Sequence, residues 1–232
     1  MDGNGRWAEQ RGLPRILGHH HGVETAKQII EECRRLGVPY LTLYAFSSEN
    51  WGRPNEEVDS LMTLLNTFLE KELQTLLTHR IRLHVIGAID RLPAGVRDTL
   101  VRTMERTADN RDMVLTLALS YGARDEILGA VKALARKVKD GFLDPSGIDE
   151  TMFSAALQTS GMPDPDFLIR TSGEIRISNF LLWQLAYAEI YFTSVLWPDF
   201  SAEYLHGALA EFARRERRYG LTGDQMQNES KD

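Results

Sequence analysis

The sequence predicts a single α/β domain, a mostly parallel central sheet flanked by helices. Strand-like apolar runs alternate with helix-like segments along the chain, and no repeat, low-complexity stretch or long linker divides the 232 residues. A composition of 43% hydrophobic and 26% charged residues suits a packed soluble domain and excludes a disordered chain.

The elements follow in order. Val23, Ala26, Ile29, Ile30 and Cys33 recur at helical spacing and Gly37 supplies a stop, which predicts a helix over 23–36. The run from Tyr40 to Phe46 is aromatic and aliphatic apart from Thr42, the pattern of a strand covered on both faces, so it is expected at the centre of the sheet. After Pro54, a long segment from Val58 to Leu77 carries apolar residues on more than one stripe and needs partners on two sides. Its pattern reads first as a buried core helix, with a lipid-binding wall as the alternative. Strands are expected over 81–87 and 114–119, and helices over 96–104 and 127–138. A strand near 167–170, an apolar helix near 180–187, a strand near 190–194 and a last helix over 204–212 complete the alternation. Pro163-Asp164-Pro165 reads as a loop, and the polar tail 221–232 is expected to fray.

A net charge of -6 gives no whole-protein attraction to nucleic acid, so any anion site must be built from placed arginines. The single cysteine, Cys33, excludes an internal disulfide and a cysteine-based zinc site, which fits a reducing, cytoplasmic setting. It sits on the apolar stripe and reads as core. No apolar run reaches the roughly 20 residues of a membrane span, and the start of the chain has no signal-peptide pattern.

Three polar clusters carry candidate chemistry. Asp2-Gly3-Asn4-Gly5-Arg6-Trp7 sets a carboxylate and an arginine beside glycines that let main-chain N–H groups approach a phosphate, although such a stretch is often only a turn. Ser47-Ser48-Glu49-Asn50-Trp51-Gly52-Arg53 follows a strand, where ligands of open α/β sheets bind, and it equally suits a helix-capping loop. Arg170 to Phe180 again follows a strand; Arg170, Arg176 and Ser178 suit a diphosphate because guanidinium forks match its oxygens, with surface ion pairs as the alternative. In His19-His20-His21 adjacent side chains diverge on an emerging helix, which argues against joint metal ligation.

Taken together, these clusters, with Gly18-His19 between the first two and Trp183-Gln184 through Glu189 and Trp197-Pro198-Asp199-Phe200 after the third, resemble the signature set of the cis-prenyltransferases of the undecaprenyl diphosphate synthase type. The resemblance implies a Mg²⁺-dependent enzyme that condenses isopentenyl diphosphate with an allylic diphosphate such as farnesyl diphosphate. The product would be a longer cis-polyprenyl diphosphate, undecaprenyl diphosphate for cell-wall lipid carrier synthesis. It also implies an apolar substrate tunnel, a homodimer and peripheral membrane contact for product release.

Residue by residue, the resemblance implies Mg²⁺ on Asp2 with Glu189 as a further metal-associated carboxylate. Gly3, Asn4, Gly5, Arg6, Trp7, Arg15 and His19 would grip the allylic diphosphate; Arg170, Arg176 and Ser178 would bind that of isopentenyl diphosphate. Ser47, Ser48, Glu49, Asn50, Trp51 and Arg53 would close the site, with Asn50 positioning the reacting ends, since a neutral amide is a poor base.

The chain departs from the family pattern at Ser120 and Ala123, where relatives commonly show asparagine and a second glycine, and it begins at Met1 where the family has an apolar strand. The expectation is therefore that residues 1–7 are loosely held and that about six apolar, β-branched residues added upstream raise turnover and melting temperature; equal values for both proteins would refute it. A short-chain synthase and a non-catalytic partner subunit are the alternatives. The retention of Asp2, Asn50, Arg170, Arg176 and Glu189 favours an enzyme.

Overall fold

A computed structural model describes residues 1–215; the tail expected to fray lies outside them. The helices are α1 (Asn4–Glu9), α2 (Arg15–Arg35), α3 (Asn55–Thr78), α4 (Ala94–Arg106), α5 (Ala123–Lys139), α6 (Glu150–Ala155) and α7 (Ala202–Phe212). The strands are β1 (Tyr40–Ser47), β2 (Ile81–Ile86), β3 (Met113–Tyr121), β4 (Phe167–Arg170) and β5 (Glu189–Phe192). Among the described residues every strand pairing is parallel. Both β1 and β2 pair with β3, with Tyr40 opposite Val114 and Ile81 opposite Met113, while β4 pairs with β5 in a second sheet.

The centre of the larger sheet is β3, not β1 as the apolar run suggests. Along β3 all residues but Val114 are buried, whereas Tyr40, Thr42 and Tyr44 of β1 are exposed or half-buried and only Leu43 and Phe46 are buried. Leu43 and Phe46 are three residues apart and reach one face because a bulge between Tyr44 and Phe46 shifts the register against β3. On one face of the sheet α2, α3, α4 and α7 enclose the main core around Leu69, Leu83, Leu100, Leu115 and Phe200. On the other, Ile86, Ala118, Tyr121, Phe180, Leu181 and Leu185 form a smaller cluster against the start of α5. In α3, Val58, Met62, Phe68, Leu69 and Leu76 are buried in that core, and Leu61 borders a cavity.

The cavity, of about 870 Å³, lies between β1 and β4. Tyr40 to Ala45 of β1 and all four residues of β4 border it, so both strands present an edge rather than a face, because consecutive side chains alternate. Among the described residues β1 pairs only with β3 and β4 only with β5, which leaves these two edges without strand partners.

The apolar segment 180–187 is a series of turns instead of a helix. Ser178, Asn179 and Leu181 take φ values of 53°, 59° and 44°, a left-handed entry from which a right-handed helix does not propagate, and only local bonds such as Leu185 N–H to Leu181 C=O form. Two short helices, α1 and α6, have too few residues to show a periodic stripe in the sequence.

Candidate active site

The polar clusters meet at the carboxyl ends of β1 and β4, at the rim of the cavity. Asp2 is held from both sides by distant parts of the chain. Its N–H donates to Thr171 Oγ1 at 2.9 Å, and its C=O accepts from the same hydroxyl at 2.8 Å and from Trp197 N–H at 3.0 Å. Gly3 turns with φ 104°, and a Cβ there would lie 2.9 Å from Leu196 and 3.0 Å from Ser172, so only glycine fits this corner. The turn starts α1, whose first N–H groups have no partner within the helix. A Cβ on Gly18 would come within 2.0 Å of Asn4 C=O, so this glycine allows α2 to lie directly against α1.

The Asp2 carboxylate accepts from Arg170 Nη2 at 3.0 Å and lies 3.5 Å from Arg6 Nη2. Burial alone would raise its pKa, but the hydrogen bond and charge of Arg170, with the neighbouring amino terminus and Arg6, hold it below the ordinary 3.8. Its side chain is 38% exposed, and among the described residues no three His, Cys, Asp or Glu side chains converge as a metal cage. One accessible, ionised carboxylate beside cationic phosphate-binding groups suits Mg²⁺, which takes its remaining oxygens from phosphate and water.

Arg170 also donates through Nη1 to Ser178 Oγ at 2.8 Å and to Arg176 C=O. Arg6 donates to Ser172 Oγ at 2.5 Å and pairs with Glu174 at 3.0 Å, and the other oxygen of Glu174 accepts from Arg176. The arginines assigned to two different diphosphates are thus tied together through Asp2 and Glu174.

The loop after β1 is folded onto itself and onto the third cluster. Asn50 Oδ1 accepts from Ser47 N–H at 3.1 Å, so its amide shapes the turn. Glu49 Oε1 accepts from Asn179 Nδ2 at 2.9 Å; burial would raise its pKa, but this bond and those from its own backbone, Ser47 and Ser48 keep it low. Asn179 in turn accepts from Arg124 N–H at 2.9 Å and Ala123 N–H at 2.8 Å, linking both loops to the start of α5. Ser48 packs beside Gly122, where a Cβ would sit 2.6 Å from its hydroxyl.

Several assignments change. Trp7 is buried, donates to Asp199 Oδ1 at 2.6 Å and carries the Arg11 guanidinium 4.2 Å from its ring, so it pins α1 to the later chain instead of facing substrate. Trp51 donates to Ser120 Oγ at 2.8 Å and packs edge-on against Phe46, which makes it the anchor of its loop. Ser120 and Ala123, where the chain departs from the family pattern, are accommodated: Ser120 adopts φ 49° and receives Trp51, and the buried Ala123 donates to Asn179. Glu189 does not join Asp2 within this chain. It opens β5 opposite Phe167, three residues and roughly 10 Å along the strand from Arg170, and it pairs with Arg215 at 3.0 Å. Strand polarity, invisible in a motif, separates the two carboxylates.

The sequence reading missed Glu57 and Glu174. Glu57 accepts from Arg53 at 3.0 Å and lies 3.6 Å from both Arg15 Nε and His19 Nε2. An acid four residues after Arg53 at a helix start was a usable signal. Burial, then Arg53, lowers the His19 pKa, while Glu57 works in the opposite direction.

The described rim and cavity can be compared with known proteins. The sequence profile of the undecaprenyl diphosphate synthase family matches residues 1–220. The isoprenyl transferase of Geobacter sulfurreducens is 54% identical over 230 residues, 99% of this chain and 94% of the relative. That of Chlorobaculum tepidum is 52% identical, covering 97% and 85%. Among solved structures, lavandulyl diphosphate synthase from Lavandula x intermedia, in complex with dimethylallyl diphosphate, superposes with a TM-score of 0.93 at 40% identity, covering 95% of each chain. A probable undecaprenyl diphosphate synthase from Campylobacter jejuni gives 0.76 at 35% identity, covering 87% of this chain and 92% of that one.

Proposed function

The chain belongs to the undecaprenyl diphosphate synthase family and is a prenyltransferase, and from that premise we propose that it joins isopentenyl diphosphate to an allylic diphosphate, farnesyl diphosphate in the first instance, with Mg²⁺. The observation that carries this reading is the convergence of Asp2, Arg170, Arg176, Ser178, His19 and Arg53 on the rim of a single cavity whose interior is bordered by Ile29, Leu43, Leu61, Leu205 and Leu209. Such a site suits an amphiphile with a diphosphate head and a hydrocarbon tail.

In the reaction the allylic C–O bond breaks, the double bond of isopentenyl diphosphate supplies the new C–C bond, and a proton leaves to give the cis alkene and free diphosphate. Arg6, Arg15 and His19, with the free N–H groups at the start of α1, hold the allylic diphosphate and stabilise the charge it gains on departure. Arg170, Arg176 and Ser178 hold the second diphosphate, and the ties through Asp2 and Glu174 set the two heads side by side so that the reacting carbons align. Asp2 would hold Mg²⁺, which when bound adds charge neutralisation at the allylic diphosphate. Asn50 keeps the loop after β1 in shape.

Chromatography of products from labelled isopentenyl diphosphate with farnesyl or geranyl diphosphate, with and without Mg²⁺, tests the reading and gives the chain length. No elongation of either primer with Mg²⁺ present would overturn it. The enzyme works as a homodimer that releases its product at the bilayer: Leu128 and Val131 of α5, with Leu182 and Tyr187, are exposed apolar side chains suited to a subunit contact. A monomeric mass in sedimentation at working concentration would contradict the dimer. No helix among the described residues is long and apolar enough to cross a membrane.

A further inference from the structure

Three residues that the proposed reaction places at the allylic diphosphate or in the loop that closes over it, Arg15, His19 and Arg53, lie around one side chain, Glu57. Arg15 and His19 are one turn apart on α2; Arg53 ends the loop after β1; Glu57 is in the first turn of α3. Arg53 donates to Glu57 Oε1 at 3.0 Å, Arg15 Nε stands 3.6 Å from Oε2, and His19 Nε2 stands 3.6 Å from Oε1. The Glu57 side chain is only 17% exposed and that of His19 11%. His19 Nε2 is buried and makes no hydrogen bond, so this ring nitrogen has a polar need that the protein alone leaves unmet. Arg15 is shared with Glu9 on the solvent side, so its charge is already divided between two acids.

We infer that Glu57 is an internal stand-in for the diphosphate, a carboxylate beside His19 that occupies the charge of Arg15 and Arg53 in the empty enzyme and gives them up when substrate enters. The inference rests on the diphosphate reading of those residues. Without a counter-ion, the guanidinium groups of Arg15 and Arg53 would repel each other, and the loop and α2 would separate. With Glu57 between them they stay clustered. A diphosphate carries more charge and more acceptor oxygens than one carboxylate, so it takes over these donors and supplies the missing partner of His19. Glu57 remains close by as a like charge, which lowers the affinity of the site and favours release of free diphosphate after each turnover.

The test is binding of inorganic diphosphate, without metal, to the full chain by titration calorimetry. Glu57→Gln keeps shape and an acceptor for Arg53 but removes the opposing charge, so it is expected to bind diphosphate about tenfold more tightly. Its melting temperature without ligand should fall, and saturating diphosphate should raise it by more than in the unaltered protein. In turnover, KM for the allylic substrate should fall, kcat should not rise, and inhibition by diphosphate should become stronger. Glu57→Asp keeps the charge and should retain an affinity close to that of the unaltered enzyme. Equal or weaker binding by Glu57→Gln would overturn the inference, since a carboxylate that merely positions the cations would lose affinity on neutralisation. Arg15→Ala separates the two levels. If it weakens diphosphate binding while Glu57→Gln fails to strengthen it, only the stand-in role is wrong; if it has no effect, the diphosphate reading beneath it is wrong.

Discussion

Asp2→Ala is expected to remove turnover almost completely, by about a thousandfold or more, while the protein stays folded. The main chain of residue 2 keeps its bonds to Thr171 and Trp197 whatever the side chain, and the carboxylate is accessible at the rim. What disappears is the acceptor shared by Arg170 and Arg6 and an ionised oxygen pair placed to share a cation with a diphosphate. Assay with labelled isopentenyl diphosphate, beside a thermal melt followed by circular dichroism, reads both halves. Chelator should silence the unaltered enzyme and Mg²⁺ should restore it; near-normal turnover of Asp2→Ala would exclude the metal role. A stability effect follows from the same contacts. Because the Asp2 carboxyl is held below 3.8 in the folded chain, its contribution is present above that pH and is lost as pH falls through the folded value. The Asp2→Ala protein should therefore lose less stability on acidification below pH 4 than the unaltered one.

Arg176→Ala is expected to weaken isopentenyl diphosphate selectively, by about 1.5 to 3 kcal/mol for a lost charged hydrogen bond, or roughly ten- to a hundredfold in KM. The Arg176 side chain is 60% exposed and pairs with Glu174, so its truncation disturbs little else. Arg170→Ala is less selective. Arg170 holds Asp2, Ser178 and the Arg176 carbonyl at once, so the same change should raise KM for isopentenyl diphosphate and also lower kcat through a displaced Asp2. Steady-state kinetics with each substrate varied in turn distinguishes the two variants. Equal loss of affinity for both substrates in Arg176→Ala would contradict the division of the rim into two diphosphate sites.

Much of the architecture was legible because long amphipathic helices and short apolar strands repeat with different periods. The helices α2, α3, α4, α5 and α7 and all five strands fall where spacing placed them. Each exception has a specific cause. The rank of β1 was misjudged because an apolar run reports covered faces and not edge pairing: Tyr44 stacks on Phe180 while Leu43 and Phe46 enter the main core, yet among the described residues the strand pairs only with β3. The helix over 180–187 failed because three non-glycine residues adopt left-handed backbone angles that the surrounding contacts impose and no propensity announces. The expected looseness of residues 1–7 took no account of Thr171 and Trp197, bonding partners more than 160 residues away.

The sequence by itself determined the class of fold and the three polar clusters, because each depends on local spacing, and the clusters taken together, through their resemblance to a known family, pointed to the type of chemistry. Only the tertiary structure decided which of those residues share a site. It turned Trp7 and Trp51 into anchors, sent Glu189 to the far end of β5, opened a cavity between the edges of β1 and β4, and brought Glu57 into the midst of Arg15, His19 and Arg53. The reason is physical. A motif lists side chains along one chain direction, whereas charge neutralisation and metal sharing depend on distances of a few ångströms between segments, and those distances are set by strand polarity and by the packing of α1, α2 and α3.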